Sequence, residues 1–259
     1  MVSTTGVSEN KSIQDNDLSI NEVGIPWAFL LLVSTAVIGV LGVYRWYQMN
    51  YSFTVGLDYF EPEFQTYWMS LLYTQLIVVI LATLGGLAWL WQTREVDVQA
   101  ISPQVELQRY FYIFGLLAVV GGVFIFGLQI FTEADAAWHQ VTIRDTDFTP
   151  THIALFYFIV PVLVSALVLG TVWLHTRMPD FAGRVSIPMV TIVMGPALIM
   201  PNLGFNEWGH TFFYAEELFA APVHWGFVVL GWAFFAISGL LVQCIARVSK
   251  LTSLKPIEA

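Results

Sequence analysis

Long apolar stretches alternate with short polar ones along this chain. The apolar runs cover about Trp27–Tyr47, Tyr67–Trp91, Tyr110–Phe131, Ile153–Trp173, Val185–Leu203 and Val223–Ile245. Each approaches the ~20 residues needed to cross ~30 Å of hydrocarbon, so the pattern predicts six transmembrane helices. Aromatic residues gather at the run ends (Trp27, Trp46, Trp68, Trp89, Trp91, Tyr110, Tyr112), as interfacial belts do. The fifth run is the least regular. It contains Pro188, Pro196 and Pro201, and the segment after it, 202–221, is only half apolar. Prolines at membrane depth free carbonyls that neighbours must satisfy, so this run is expected inside protein. Ala118 and Gly122 form a small-xxx-small pair in the third run, a weak sign of close helix contact.

Residues 1–24 are rich in Ser, Thr, Asn and Asp and read as a disordered polar tail. They lack the basic segment leading into a short apolar core that marks a signal peptide. Residues 25–250 read as one transmembrane helical domain, and 251–259 as a C-terminal tail. Six spans put both termini on one side. That side holds Lys11, Arg94, Arg109, Arg177, Arg184, Arg247, Lys250 and Lys255, against Arg45 and Arg144 on the other. The excess predicts that both termini are cytoplasmic.

Composition agrees. The 259 residues are 57% hydrophobic and only 11% charged, with mean hydropathy +0.69, whereas soluble domains carry roughly 25% charged residues. The chain is therefore expected to be all-α and integral to a membrane. The single cysteine, Cys244, rules out an intramolecular disulfide and any Cys-rich metal site; it lies in an apolar run and reads as packing. The net charge of −9 argues against nucleic acid as a partner.

Four of the five histidines fall into two similar patterns. Asp135 precedes His139 by four residues, and His152 follows in Thr149-Pro150-Thr151-His152. Asn206 precedes His210 by four, and His224 follows in Ala221-Pro222-Val223-His224. Residues four apart share a helix face. Pro150 suits the first position of a helix, which puts His152 in the first turn. Span counting brings all six residues to the exterior membrane face. Two His and one carboxylate form a ligand set for iron or copper with positions left open, and zinc accepts such ligands too. In the second pattern the amide of Asn206 is a weaker, neutral ligand, and Glu207, Glu216 and Glu217 lie near enough in sequence to assist or to orient the imidazoles. Taken singly, a His at a membrane boundary is as ordinary bonded to a carboxylate as to a metal. Two copies of one spacing on one side shift the balance toward metal. His175 has no such partners and reads as interfacial. Trp138, Trp208 and Trp225 either wall a dry pocket or anchor at the interface, the ordinary role. The loop Arg144–Asp147 is either an ion-pair network or solvated.

These residues carry a resemblance. FTEADAAWHQVTIRDTDFTPTH (131–152), NEWGH (206–210) and EELFAAPVHWGFVVLGW (216–232), with Glu61-Pro62-Glu63-Phe64, resemble the C subunit of the copper membrane monooxygenases over roughly 58–250. That family oxidises methane, ammonia or short hydrocarbons. The resemblance implies a complex of A, B and C subunits, three copies of each, in a bacterial inner or intracytoplasmic membrane. It implies O₂ and a reductant, quinol, as co-substrates. It also implies copper at Asp135, His139 and His152, and a second copper at Asn206, His210 and His224. Residues 1–50 depart from the methane and ammonia members, which leans the substrate toward a hydrocarbon. Two other readings compete: a metal or proton transporter, and a structural subunit with stabilising metals. A transporter places ionisable groups at mid-membrane, often on inverted repeats. Here the span middles hold no Asp, Glu, Lys, Arg or His, and both patterns run in the same orientation.

Overall fold

The computed structural model describes residues 23–122, 128–139, 148–194 and 235–252, and every long regular element among them is helical. We label these α1 (Trp27–Tyr51), α2 (Pro62–Gln92), α3 (Pro103–Gly122), α4 (Leu128–His139), α5 (Pro150–Arg177), α6 (Pro179–Ala182) and α7 (Phe235–Leu251). Residues 187–194 are also helical.

Among the described residues, α1, α2 and α5 are long and apolar enough to cross a membrane, with 25, 31 and 28 residues and mean hydropathies of 2.1, 2.0 and 2.6. They coincide with the first, second and fourth apolar runs. The third run is divided between α3 and α4, with 123–127 outside the described residues. The second half of the fifth run (195–203), the first half of the sixth, and both polar tails through residue 22 and from residue 253 also lie outside them.

Two of the membrane-length helices start in the same way. Pro62 and Pro150 each occupy the first turn, where a missing N–H costs nothing. Each helix then passes through a wide turn, Gln65–Met69 in α2 and Leu155–Ile159 in α5, before regular α-helix resumes. The turn in α5 comes just before Pro161, whose ring would crowd the carbonyl four residues earlier. Further along, α2 and α5 pack closely. Thr83 Oγ1 and Ser165 Oγ lie 2.8 Å apart across the contact. A Cβ on Gly86 would come within 2.9 Å of Leu169, so glycine permits the approach.

The two ends of the bundle are chemically different. At the end holding the C-termini of α2 and α5, the apolar cluster Tyr110, Ile113, Leu174, Met178, Phe181, Leu240 and Cys244 is overlaid by polar ties. Cys244 is fully buried there, as packing. Arg247 of α7 grips Glu106 of α3 with two hydrogen bonds of 2.8 Å. Gln243 donates to Asp180 at 2.9 Å and accepts from Ser186 at 2.6 Å. Arg109 pairs with Glu95 and donates to the Arg177 carbonyl at 2.6 Å. Gln108 Nε2 donates to the Gly24 carbonyl at 2.9 Å. The first and last described segments therefore both meet the start of α3. His175 is exposed on this end and bonds only its own helix, at the Thr171 carbonyl, in keeping with an interfacial residue.

The Glu106–Arg247 pair is expected to behave as a buried ion pair, because the Glu106 side chain is only 3% exposed. Arg247→Met alone should cost about 3 kcal/mol by stranding the carboxylate, and Glu106→Leu with Arg247→Met should recover most of it. Thermal unfolding of the purified complex checks this. A double variant as unstable as the single one would rule the pair out as the cause.

Candidate metal centre

The opposite end is where the C-terminus of α1 and the starts of α2 and α5 meet α4. The link from α1 to α2 turns at Gly56, whose φ of +63° needs glycine. A Cβ there would sit 2.7 Å from the backbone of Phe64 at the start of α2. Trp68 Nε1 donates to the Val55 carbonyl at 2.9 Å and fixes that link from the other side. Its indole is fully buried, as are Tyr110 in the other cluster and, at 1% exposure, Trp138. The expected placement of Trp68 and Tyr110 in an interfacial belt is therefore corrected, and so is interfacial anchoring as the role of Trp138. Trp27, Trp46, Trp89 and Trp91 remain exposed, as a belt requires.

The helix α4 is amphipathic in a way that sets the site. Phe131, Ala134 and Trp138 recur at helical spacing and are all buried. Trp138 Nε1 donates to the Ser52 carbonyl at 2.7 Å, locking α4 against the end of α1. Asp135 rides on the edge of this buried stripe. His139 is four residues on in the same helix; its side chain lies outside the described residues.

The helix α5 begins at Pro150, so His152 stands in its first turn as the proline spacing predicts. Thr149 Oγ1 accepts the His152 N–H at 3.0 Å and caps the helix. Phe156 holds the imidazole edge-on at 5.1 Å between ring centres. The outcome is that His152 Nε2 lies 3.4 Å from Asp135 Oδ2, with the side chains 17% and 14% exposed. That separation exceeds the ~2.8 Å of a direct charge-assisted hydrogen bond. It matches the ~3.4 Å between two tetrahedral donors that each lie ~2.1 Å from one ion. The pair thus has the spacing, the burial and the mixed N,O chemistry of two ligands sharing a metal.

Among the described residues no three His, Cys, Asp or Glu side chains form a complete metal-binding group. Asp135 and His152 are brought together. Asn206, His210 and His224 lie outside the described residues, as do Arg144–Asp147, Glu207, Glu216 and Glu217.

Behind His152 is a residue that no sequence pattern marks. Gln75 of α2 accepts from Tyr44 OH of α1 at 2.8 Å and donates to the Ile153 carbonyl of α5 at 2.9 Å. The wide turn of α5 begins two residues later, and Gln75 brings a donor from another helix to the carbonyl just before it. A lone amide inside an otherwise apolar span was the available signal, because hydrocarbon forces such a group to find partners.

Residues 13–255 match the family described as the C subunit of ammonia monooxygenase/methane monooxygenase. The chain belongs to this family. Comparison with curated proteins finds no match. As a C subunit it is an integral membrane component of a copper membrane monooxygenase and partners the A and B subunits. The match begins at residue 13, so most of the stretch 1–50, read from the sequence as a departure, falls within the family.

For this C subunit, Gln75→Leu should strand the buried Tyr44 hydroxyl and remove the tie to the Ile153 carbonyl, at about 2 kcal/mol. Tyr44→Phe should cost less, because the Gln75–Ile153 bond survives. Unchanged thermal midpoints for the Gln75→Leu complex would show that the three-helix bridge carries no stability.

Proposed function

We propose that Asp135, His139 and His152 hold one copper ion where α1, α2, α4 and α5 meet, and that Asn206, His210 and His224 hold a second. The observation that carries this reading is the 3.4 Å approach of His152 Nε2 to Asp135 Oδ2 between two separate helices. The reaction is hydroxylation of a small substrate (ammonia, methane or a short-chain hydrocarbon). One atom of O₂ enters the product and the other leaves as water, with two electrons and two protons from a reductant such as quinol. Six spans with both termini cytoplasmic would set the centre near the exterior face, in a complex with three copies each of A, B and C.

Copper, when bound, supplies one-electron redox chemistry and open positions for oxygen. The chain's own residues do the rest. Asp135 contributes the charge that a neutral imidazole set lacks. Thr149 and Phe156 fix the direction of His152. The buried rings of Phe131 and Trp138 keep water from the inner side of α4. The described spans offer little to a transporter: Gln75, Thr83 and Ser165 are satisfied by one another's helices and leave no ionisable relay at mid-membrane.

The test is oxygen-dependent turnover of the membrane complex on ammonia, methane, ethane and butane, before and after copper removal and restoration. Copper-restorable product from one of these is expected, with product and bound copper both lost in His139→Ala and His152→Ala complexes that still assemble. Full turnover by an assembled His152→Ala complex would overturn the first site.

A further inference from the structure

A cavity of about 470 Å³ lies between α1, α3 and α4. Ser34, Gly42 and Arg45 line it from α1, Ala118 and Gly122 from α3, and Phe131 from α4. Small residues leave the space: a Cβ added to Gly42 or Gly122 would meet nothing within 4 Å. Its walls are apolar except for the Ser34 hydroxyl at one end and the Arg45 guanidinium, the one charge, at the other. From Ser34 to Arg45 the cavity follows α1 for roughly 16 Å at ~1.5 Å per residue. That is about half of the ~30 Å hydrocarbon core, the depth of one leaflet.

The charge at the end narrows the occupant. Arg45 Nη1 donates to Gln48 Oε1 at 2.8 Å, the one hydrogen bond its guanidinium makes among the described residues. Glu133 acts on Arg45 through space. A small apolar molecule gives a guanidinium nothing to bond, and the head-group oxygens of a quinol are neutral and offer no opposite charge. A phosphodiester offers the Arg45 guanidinium oxygen acceptors of opposite charge.

We propose that this cavity holds one acyl chain of a phospholipid whose phosphate pairs with Arg45 at the membrane interface. The lipid is an integral filler of the bundle, distinct from the mobile lipid around it. Phe131 forms the wall on α4, one helical turn before Asp135, so the chain supports the helix that carries the candidate ligands.

The experiment uses the intact A–B–C complex in nanodiscs of phosphatidylethanolamine bearing a photoactivatable group on its acyl chain. After irradiation, labelled residues are mapped. Val119 and Ile130, which line the cavity, should be labelled well above Ile77 and Leu81, which face outward on α2. Gly42→Leu fills the space and should cut the cavity labelling roughly tenfold, a loss of about 1.4 kcal/mol, while Ile77 and Leu81 stay unchanged. Ser34→Leu, which fills the other end, should do the same if Gly42→Leu fails to assemble. Arg45→Gln should lower the cavity labelling in the same direction. Equal labelling of both faces that ignores the filling variants would mean surrounding lipid only. An unlabelled cavity would mean another occupant, such as a partner subunit. Labelling indifferent to Arg45→Gln would remove the head-group pairing. Each of these overturns the proposal.

Discussion

In hydrocarbon, every backbone carbonyl must find a donor inside the protein, because no water is present to supply one. The helix α5 disturbs its own ladder immediately after His152, with a wide turn at Leu155–Ile159 and a proline at 161. Just before that turn, the Ile153 carbonyl takes a donor from another helix. Gln75 reaches across from α2 to the Ile153 carbonyl and is itself held by Tyr44 of α1. One side-chain amide thus registers three helices against each other at the level of the candidate ligand. The approach of Asp135 from α4 has meaning only because His152 is already fixed by this bridge and by its cap.

The bundle divides its polar groups between its two ends for different purposes. At one end, ion pairs and amides bind α3, α5, α6 and α7 into a closed mat of mutual bonds, in which Glu106, Arg247, Asp180 and Gln243 satisfy one another. At the other end, tryptophan N–H groups bond backbone carbonyls, Trp68 to Val55 and Trp138 to Ser52. These large rings exclude water and position helices without adding charge. Such an end leaves a carboxylate and an imidazole facing each other, where a mat of arginines would compete for the carboxylate. Between the ends, the outward faces of α1 and α2 carry exposed leucine, isoleucine and valine, as lipid contact demands.

Much of this was legible because hydropathy and proline position report local energetics. The first, second and fourth apolar runs appear as α1, α2 and α5, and Pro150 marks a helix start with His152 in its first turn. The Asp135–His152 meeting follows from two such local rules applied on the same side of the membrane. What escaped was decided by neighbours. Trp68, Trp138 and Tyr110 look like interfacial aromatics in sequence, but tertiary contacts bury them. Gln75 has no motif and is defined by what it touches on two other helices. Glu106 stands in the first turn of α3, and its partner Arg247 lies 141 positions away, too far for any spacing rule to connect them.

That last separation also has a meaning in time. A ribosome adds roughly 5–20 residues each second, so about 7–28 s pass between the synthesis of Glu106 and that of Arg247, 141 positions on. Throughout that interval α3 is present and its carboxylate waits for a cation that does not yet exist. Until α7 arrives, the start of α3 is held by its other ties, Gln108 to Gly24 and Arg109 to Glu95, while Glu106 lacks its cation. The bond that ties α3 to α7 is therefore among the last of these ties to form.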